Sequence, residues 1–126
     1  LDLERVGVFG ISFGGYFAVR SLLRYPHAYR AGVALAPAEI DGVVLGAAVE
    51  PFAGRPAADP ARYSRAANVP LVDRLRGRLL IAVGTSDVNT PLAQTFKLID
   101  ALIAAEKPFD LLMVPEANHV FRRADG

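Results

Sequence analysis

The chain has 126 residues, is 52% hydrophobic and 21% charged, carries a net charge of +1, and contains no Cys. That length suffices for one domain with a core but not for two ordinary ones, and the composition excludes a disordered tail, a collagen-like repeat and a disulfide scaffold. With 14 basic residues against 13 acidic ones, no nucleic-acid or polybasic membrane partner is indicated, and the Arg residues are scattered as solvated surface. No apolar run approaches the roughly 20 residues that span a bilayer. Leu1 to Arg5 does not have the pattern of a signal peptide. Thiol catalysis and thiolate metal sites are excluded, and the compartment stays undecided between cytoplasm, periplasm and secretion.

Four short apolar runs read as strands: Val6 to Phe9, Ala31 to Leu35, Leu79 to Val83 and Phe109 to Val114. Their apolarity is continuous rather than alternating, which predicts strands buried on both faces of a parallel sheet. After the first run comes a helix over Ser12 to Arg24, with Phe17, Ala18, Leu22 and Leu23 inward and Tyr25-Pro26 as its stop. Glu39 to Pro70 is the least regular stretch. It predicts a short helix near Val43 to Val49, a loop, and a helical piece near Asp59 to Ala67. A loop-rich insertion of that size is more often functional than a mere connection. Thr90 reads as an N-cap with Pro91 at the first helical position, and Leu92, Phe96, Ile99, Leu102 and Ile103 define the inward face of the next helix, closed by Lys107-Pro108. The order of elements predicts one α/β domain over 1–126, a doubly wound sheet of about four parallel strands.

Gly10-Ile11-Ser12-Phe13-Gly14 is a G-x-S-x-G pattern that begins where a strand ends and opens into a helix. That is the context of a nucleophile elbow, a turn so tight that side chains at Gly10 and Gly14 are expected to collide. The Phe13 N–H is then placed as an oxyanion donor. The same glycines fit neither G-x-G-x-x-G nor a P-loop.

A serine nucleophile needs a base and a carboxylate to orient it, in the chain order Ser, acid, His. His27 follows the far end of the helix and reads as surface. His119 follows the last strand by a short loop, at the carboxyl edge where ligands gather. Asp87, in Gly84-Thr85-Ser86-Asp87, follows the third strand in the same way, whereas Asp41, Asp59, Asp73, Asp100, Asp110 and Asp125 read as ordinary surface charges. Glu39, after the second strand, is the competing acid. Ser12, Asp87 and His119 therefore form the expected triad.

Three segments carry a family resemblance. Arg5 to Tyr16 resembles the elbow of the prolyl oligopeptidase family, especially its dipeptidyl peptidase IV-like branch. Gly84 to Asn89 is similar to that branch's acid loop, and Phe109 to His119 resembles its histidine segment. The resemblance implies the C-terminal half of an α/β-hydrolase catalytic domain and a serine peptidase that cleaves short peptides, often after Pro or Ala, through an acyl-enzyme. It implies no metal and no cofactor, a peptide substrate, and a substrate pocket that includes Tyr16 and Phe52. A homodimer is among the partners it allows.

It also implies that upstream strands and an amino-terminal β-propeller belong to the parent protein, along with a second oxyanion donor and an acidic pair for the substrate's amine. A sheet starting at Val6 would leave an apolar edge exposed, so a marginal, sticky fold with little turnover of its own is expected. Val43 to Ala48 lacks the aromatic residues usual for the pocket, and Val120 stands where Gly is commoner. A carboxylesterase of the same fold and a non-catalytic α/β module are the alternative functions.

Overall fold

The computed structural model describes residues 2–40 and 46–123. Its core is a sheet of four parallel strands in sequence order, β1 (Gly7–Ile11), β2 (Ala31–Leu35), β3 (Arg78–Gly84) and β4 (Asp110–Val114). Each strand falls on one of the apolar runs, within two residues at either end. The register aligns Phe9 with Val33 and Val33 with Leu80, and Leu80 with Asp110, so side chains form rows across the sheet.

Helix α1 (Phe13–Arg24) follows β1 directly, and α4 (Leu92–Ala104) follows β3. Both pack with a 3-10 segment, Val69–Arg74, onto one face of the sheet. The cluster there comprises Val19, Leu22 and Leu23 of α1, Leu98, Ile99 and Leu102 of α4, Val72, and Leu79, Ile81 and Val83 of β3. A Cβ on Gly15 would lie 2.7 Å from the Leu35 carbonyl oxygen, so a glycine there lets α1 approach β2 this closely.

The doubly wound, doubly buried sheet is corrected in one respect. Among the described residues, the central strands are well covered but the opposite face of β1 and both faces of β4 are open. Phe9 is 68% exposed and Leu112 52%. Continuous apolarity marks the surface that prefers burial and does not count the layers available to bury it.

The helix faces need a rotation as well. Phe17, Phe96 and Ile103 are exposed, while Tyr16, Val19, Gln94, Thr95 and Leu98 are buried in their place. Helix α4 begins at Leu92 with Pro91 as its N-cap residue, and no side chain caps it. Thr90 is not the cap. The helix closes on Glu106 at φ 54°, with the Lys107 N–H donating to the Leu102 carbonyl at 2.9 Å, one step before Lys107-Pro108.

Between β2 and β3 lie α2 (Gly46–Ala53) and α3 (Pro60–Ala66). The predicted helix near Val43 to Val49 falls partly outside the described residues. Asp59 caps α3 by accepting from the Arg62 N–H at 3.1 Å, with Pro60 in the first turn. No helix among the described residues is long and apolar enough to cross a membrane.

Candidate active site

Ser12 sits at φ 58°, ψ −121°, between the last residue of β1 and the first of α1. A positive φ is costly for a non-glycine residue, and here the surroundings enforce it. The Ser12 N–H donates to the Leu35 carbonyl at 2.9 Å, and its own carbonyl accepts from the Tyr16 N–H at 3.0 Å. Its side chain makes no capping bond to α1. Phe13 opens α1, so its N–H is one of the first-turn amides that the helix cannot satisfy.

The steric demand of the turn falls on one glycine. A Cβ on Gly10 would stand 2.0 Å from the Gly14 carbonyl oxygen, whereas a Cβ on Gly14 would meet nothing within 4 Å. The expectation that both positions exclude a side chain is corrected accordingly: it is the Gly14 backbone that folds over Gly10.

Asp87 and His119 come from the turns after β3 and β4, which touch each other. The Ser86 N–H donates to the Ala117 carbonyl at 3.0 Å, and a Cβ on Gly84 would lie 2.2 Å from that same oxygen. Asn118 folds the histidine loop by accepting from the N–H groups of Val120 and Arg122 at 3.1 and 3.0 Å. This brings His119 Nδ1 to 2.8 Å from Asp87 Oδ2.

The Asp87 carboxylate is nearly enclosed, its side chain 2% exposed, while the imidazole keeps 17%. Burial alone pushes the Asp87 carboxyl up. Hydrogen bonds from His119, Thr90 and Asn89 outweigh that cost and hold it below the usual carboxylate range. Oδ1 accepts from the Asn89 and Thr90 N–H groups at 2.8 and 3.0 Å, and Oδ2 accepts from the Thr90 hydroxyl at 2.7 Å.

Thr90 Oγ1 also lies 3.0 Å from His119 Nδ1. The hydroxyl read as a helix cap is thus directed at the acid and the imidazole. The only local signal for it was its position three residues after the acid, in a tight turn.

Glu39 is buried, and its carboxylate accepts from the Asn68 N–H. It braces the 3-10 segment, and the imidazole is hydrogen-bonded to Asp87 instead. His27 is exposed, as expected. Tyr16 is 3% exposed and donates its hydroxyl to the Ala66 carbonyl at 2.7 Å, so it fastens the insertion to α1. Phe52, on α2, is 88% exposed.

Arg20 departs from the reading of solvated arginines. Its guanidinium donates to the carbonyls of Arg65 and Ala66 at 2.6 and 2.5 Å and to Asn68 Oδ1 at 3.3 Å. A cleft of about 630 Å³ between α3 and α4 is lined by Glu39, Tyr63, Lys97 and Asp100, and includes none of Ser12, Asp87 and His119.

Comparison with known proteins agrees with this architecture. The model of the prolyl oligopeptidase family matches residues 1–125, and the chain belongs to that family, in its dipeptidyl peptidase IV-like branch. Its fold is that of the α/β-hydrolase peptidases. Human dipeptidyl peptidase 8 is 31% identical over 125 residues, which is 97% of this chain and 14% of that protein. The structure of Porphyromonas gingivalis dipeptidyl peptidase 4 superposes with a TM-score of 0.88 at 31% identity, covering 99% of this chain and 18% of that one. Inactive dipeptidyl peptidase 10 of the rat is 26% identical over 120 residues, 94% of this chain and 15% of that protein. The chain therefore spans about 14–15% of the length of these curated relatives. Since one of them is named inactive, membership alone does not secure catalysis, and the case rests on the residues.

Proposed function

We propose that this chain is the C-terminal part of the catalytic domain of a serine peptidase acting on short peptides, with Ser12, His119 and Asp87 as nucleophile, base and orienting acid. The observation that carries the reading is the 2.8 Å bond between His119 Nδ1 and Asp87 Oδ2, made at the carboxyl end of the same parallel sheet whose first strand leads into a serine held at φ 58°. With Nδ1–H donating to the carboxylate, the imidazole presents Nε2 as the base. Ser12 Oγ attacks the substrate carbonyl while Nε2 takes its proton. The Phe13 N–H stabilises the oxyanion, and the imidazolium returns the proton to the leaving amine. Water then hydrolyses the acyl-enzyme by the same route in reverse.

The names of the relatives favour release of dipeptides, and a peptide substrate is proposed ahead of the ester of a carboxylesterase. Phe52 is the proposed wall of the pocket for the residue before the scissile bond.

The test is intact mass after incubation of the protein that carries this chain with a fluorophosphonate probe, followed by peptide mapping. An adduct on Ser12, lost in Ser12→Ala and strongly reduced in His119→Ala, is expected. Absence of any adduct in the folded protein would overturn the reading in favour of a non-catalytic module. Chromogenic dipeptide amides set against short-chain esters then separate peptidase from esterase.

A further inference from the structure

Three polar atoms form a closed triangle at the base of the candidate site. Thr90 Oγ1 is 2.7 Å from Asp87 Oδ2, Asp87 Oδ2 is 2.8 Å from His119 Nδ1, and Nδ1 is 3.0 Å from Oγ1. We propose that Thr90 is a positioning residue for the base. Its hydroxyl fixes the rotamer in which the Asp87 carboxylate meets the imidazole, and it moderates how strongly that carboxylate holds the Nδ1 proton. The proposal rests on the peptidase reading above for its catalytic consequence, but not for its geometry.

The geometry excludes the ordinary role of such a threonine. A Thr before Pro at a helix start is expected to cap the helix, yet α4 has no side-chain cap. The Thr90 residue is 4% exposed, so its hydroxyl is not serving water either.

It completes the carboxylate. An ionised carboxyl offers about four acceptor sites. Those of Asp87 are taken by the Asn89 N–H, the Thr90 N–H, the Thr90 hydroxyl and the imidazole. With two donors on each oxygen, rotation about the Cβ–Cγ bond would break all four at once.

A hydroxyl has a single proton, and the triangle gives it two destinations. While Nδ1 carries a proton, the hydroxyl donates to Oδ2, and its lone pair faces Nδ1–H. It then competes with the imidazole for the same oxygen, which makes the carboxylate a weaker acceptor. Were Nδ1 bare, the hydroxyl would turn and donate to it. Thr90 therefore couples the carboxylate to the tautomer of the base.

Asp87 is the charged group that meets the imidazole from the β3 turn. On the histidine's own loop, Glu116 and Arg123 pair with each other at 3.2 Å on the exposed side, and from α4 Lys97 lines the cleft beside Glu39.

The test compares wild type, Thr90→Val and Thr90→Ser in the protein that carries this chain. Valine keeps the shape and removes the hydroxyl, and serine keeps the hydroxyl. In Thr90→Val, kcat is expected to fall about tenfold, the scale of one charge-assisted hydrogen bond, with KM changed by less than about twofold. The acid limb of the kcat/KM profile is expected to move to higher pH, because the carboxylate has lost a competing donor.

The Nδ1 proton resonance of His119 shifts in Thr90→Val and returns in Thr90→Ser. A Thr90→Val protein whose acid limb and Nδ1 resonance both match wild type would overturn the proposal. So would a folded Thr90→Ser that behaves like the valine variant. If wild type fails to label with a fluorophosphonate, the peptidase reading falls separately, and the Nδ1 resonance alone decides whether Thr90 governs the imidazole.

Discussion

The backbone of Gly14 folds over Gly10, and a Cβ added to Gly10 would stand 2.0 Å from the Gly14 carbonyl oxygen. This contact sets the curvature of the turn, and with it the positive φ of Ser12 between the two glycines. The asymmetry separates two substitutions that a motif treats alike. Gly10→Ala forces backbone apart and is expected to cost about 3 kcal/mol or more. Gly14→Ala places a methyl in open space on the first turn of α1, and is expected to change stability by less than about 1 kcal/mol, in the stabilising direction. Urea midpoints of the two variants check this. Equal losses at both positions would contradict it.

The enclosed Asp87 carboxylate makes a pH-dependent contribution to stability. Its folded pKa is depressed, so the unfolded chain takes up the proton more readily as pH falls. The stabilisation is therefore complete above the unfolded carboxylate range and disappears as pH falls through the folded value. Asp87→Asn keeps the shape but loses the charge that four donors surround. At neutral pH it is expected to be about 2 kcal/mol less stable than wild type. The gap should close as the solution is acidified below the carboxylate range. Chemical denaturation across a pH series measures it, and a gap independent of pH would rule out this origin.

What was legible in the sequence, and what was not, follows from the range of each interaction. The elbow was readable because Gly10, Ser12 and Gly14 act within five residues at a strand end. The pairing of Asp87 with His119 was readable because topology alone brings the ends of adjacent strands to one edge. Thr90 was misread because Thr-Pro is a local helix-start signal, whereas its hydroxyl turns back to Asp87 three residues before it and to His119, 29 residues away. Arg20 was misread because the segment it grips lies more than 40 residues ahead.

The exposed rings of Phe17 and Phe96 show a different failing. An apolar stripe gives the period of a helix, but the angle at which it meets the sheet depends on what packs beside it. Here Gln94 and Thr95 are buried where Phe96 was expected, and Gln94 Oε1 accepts from the Glu39 N–H at 3.2 Å. Continuous apolarity in β1 and β4 likewise spoke of a preference for burial, and the described layers leave one face of β1 and both faces of β4 open.

Arg20 and Tyr16 give the insertion its anchorage, and they should differ in weight. The guanidinium reaches the carbonyls of Arg65, Ala66 and Ala67 and the Asn68 side chain, whereas the Tyr16 hydroxyl makes one bond to Ala66. Arg20→Ala is expected to cost about 2–3 kcal/mol and Tyr16→Phe about 1 kcal/mol, since Ala66 keeps the arginine as donor. Arg20→Lys should resemble the alanine variant, because an ammonium cannot span acceptors laid out for a planar fork. Limited proteolysis adds a spatial readout. Cleavage between Ala53 and Asn68 is expected to accelerate in both Arg20 variants, and unchanged protection there would show that the insertion is held by something else.

Phe52 separates binding from folding. Its ring is 88% exposed on α2, so Phe52→Ala should leave the unfolding free energy from urea denaturation within about 0.5 kcal/mol of wild type. As the proposed pocket wall, it touches the substrate side chain and none of the groups that move protons. The variant is therefore expected to label with a small fluorophosphonate as fast as wild type while KM for a chromogenic dipeptide amide rises about tenfold and kcat changes little. The wall would bury the apolar ring of a residue such as proline, so the loss should be largest for that substrate and small for one ending in glycine. An equal loss for both substrates, or none for either, would remove Phe52 from the pocket and leave its exposed ring without a role in specificity.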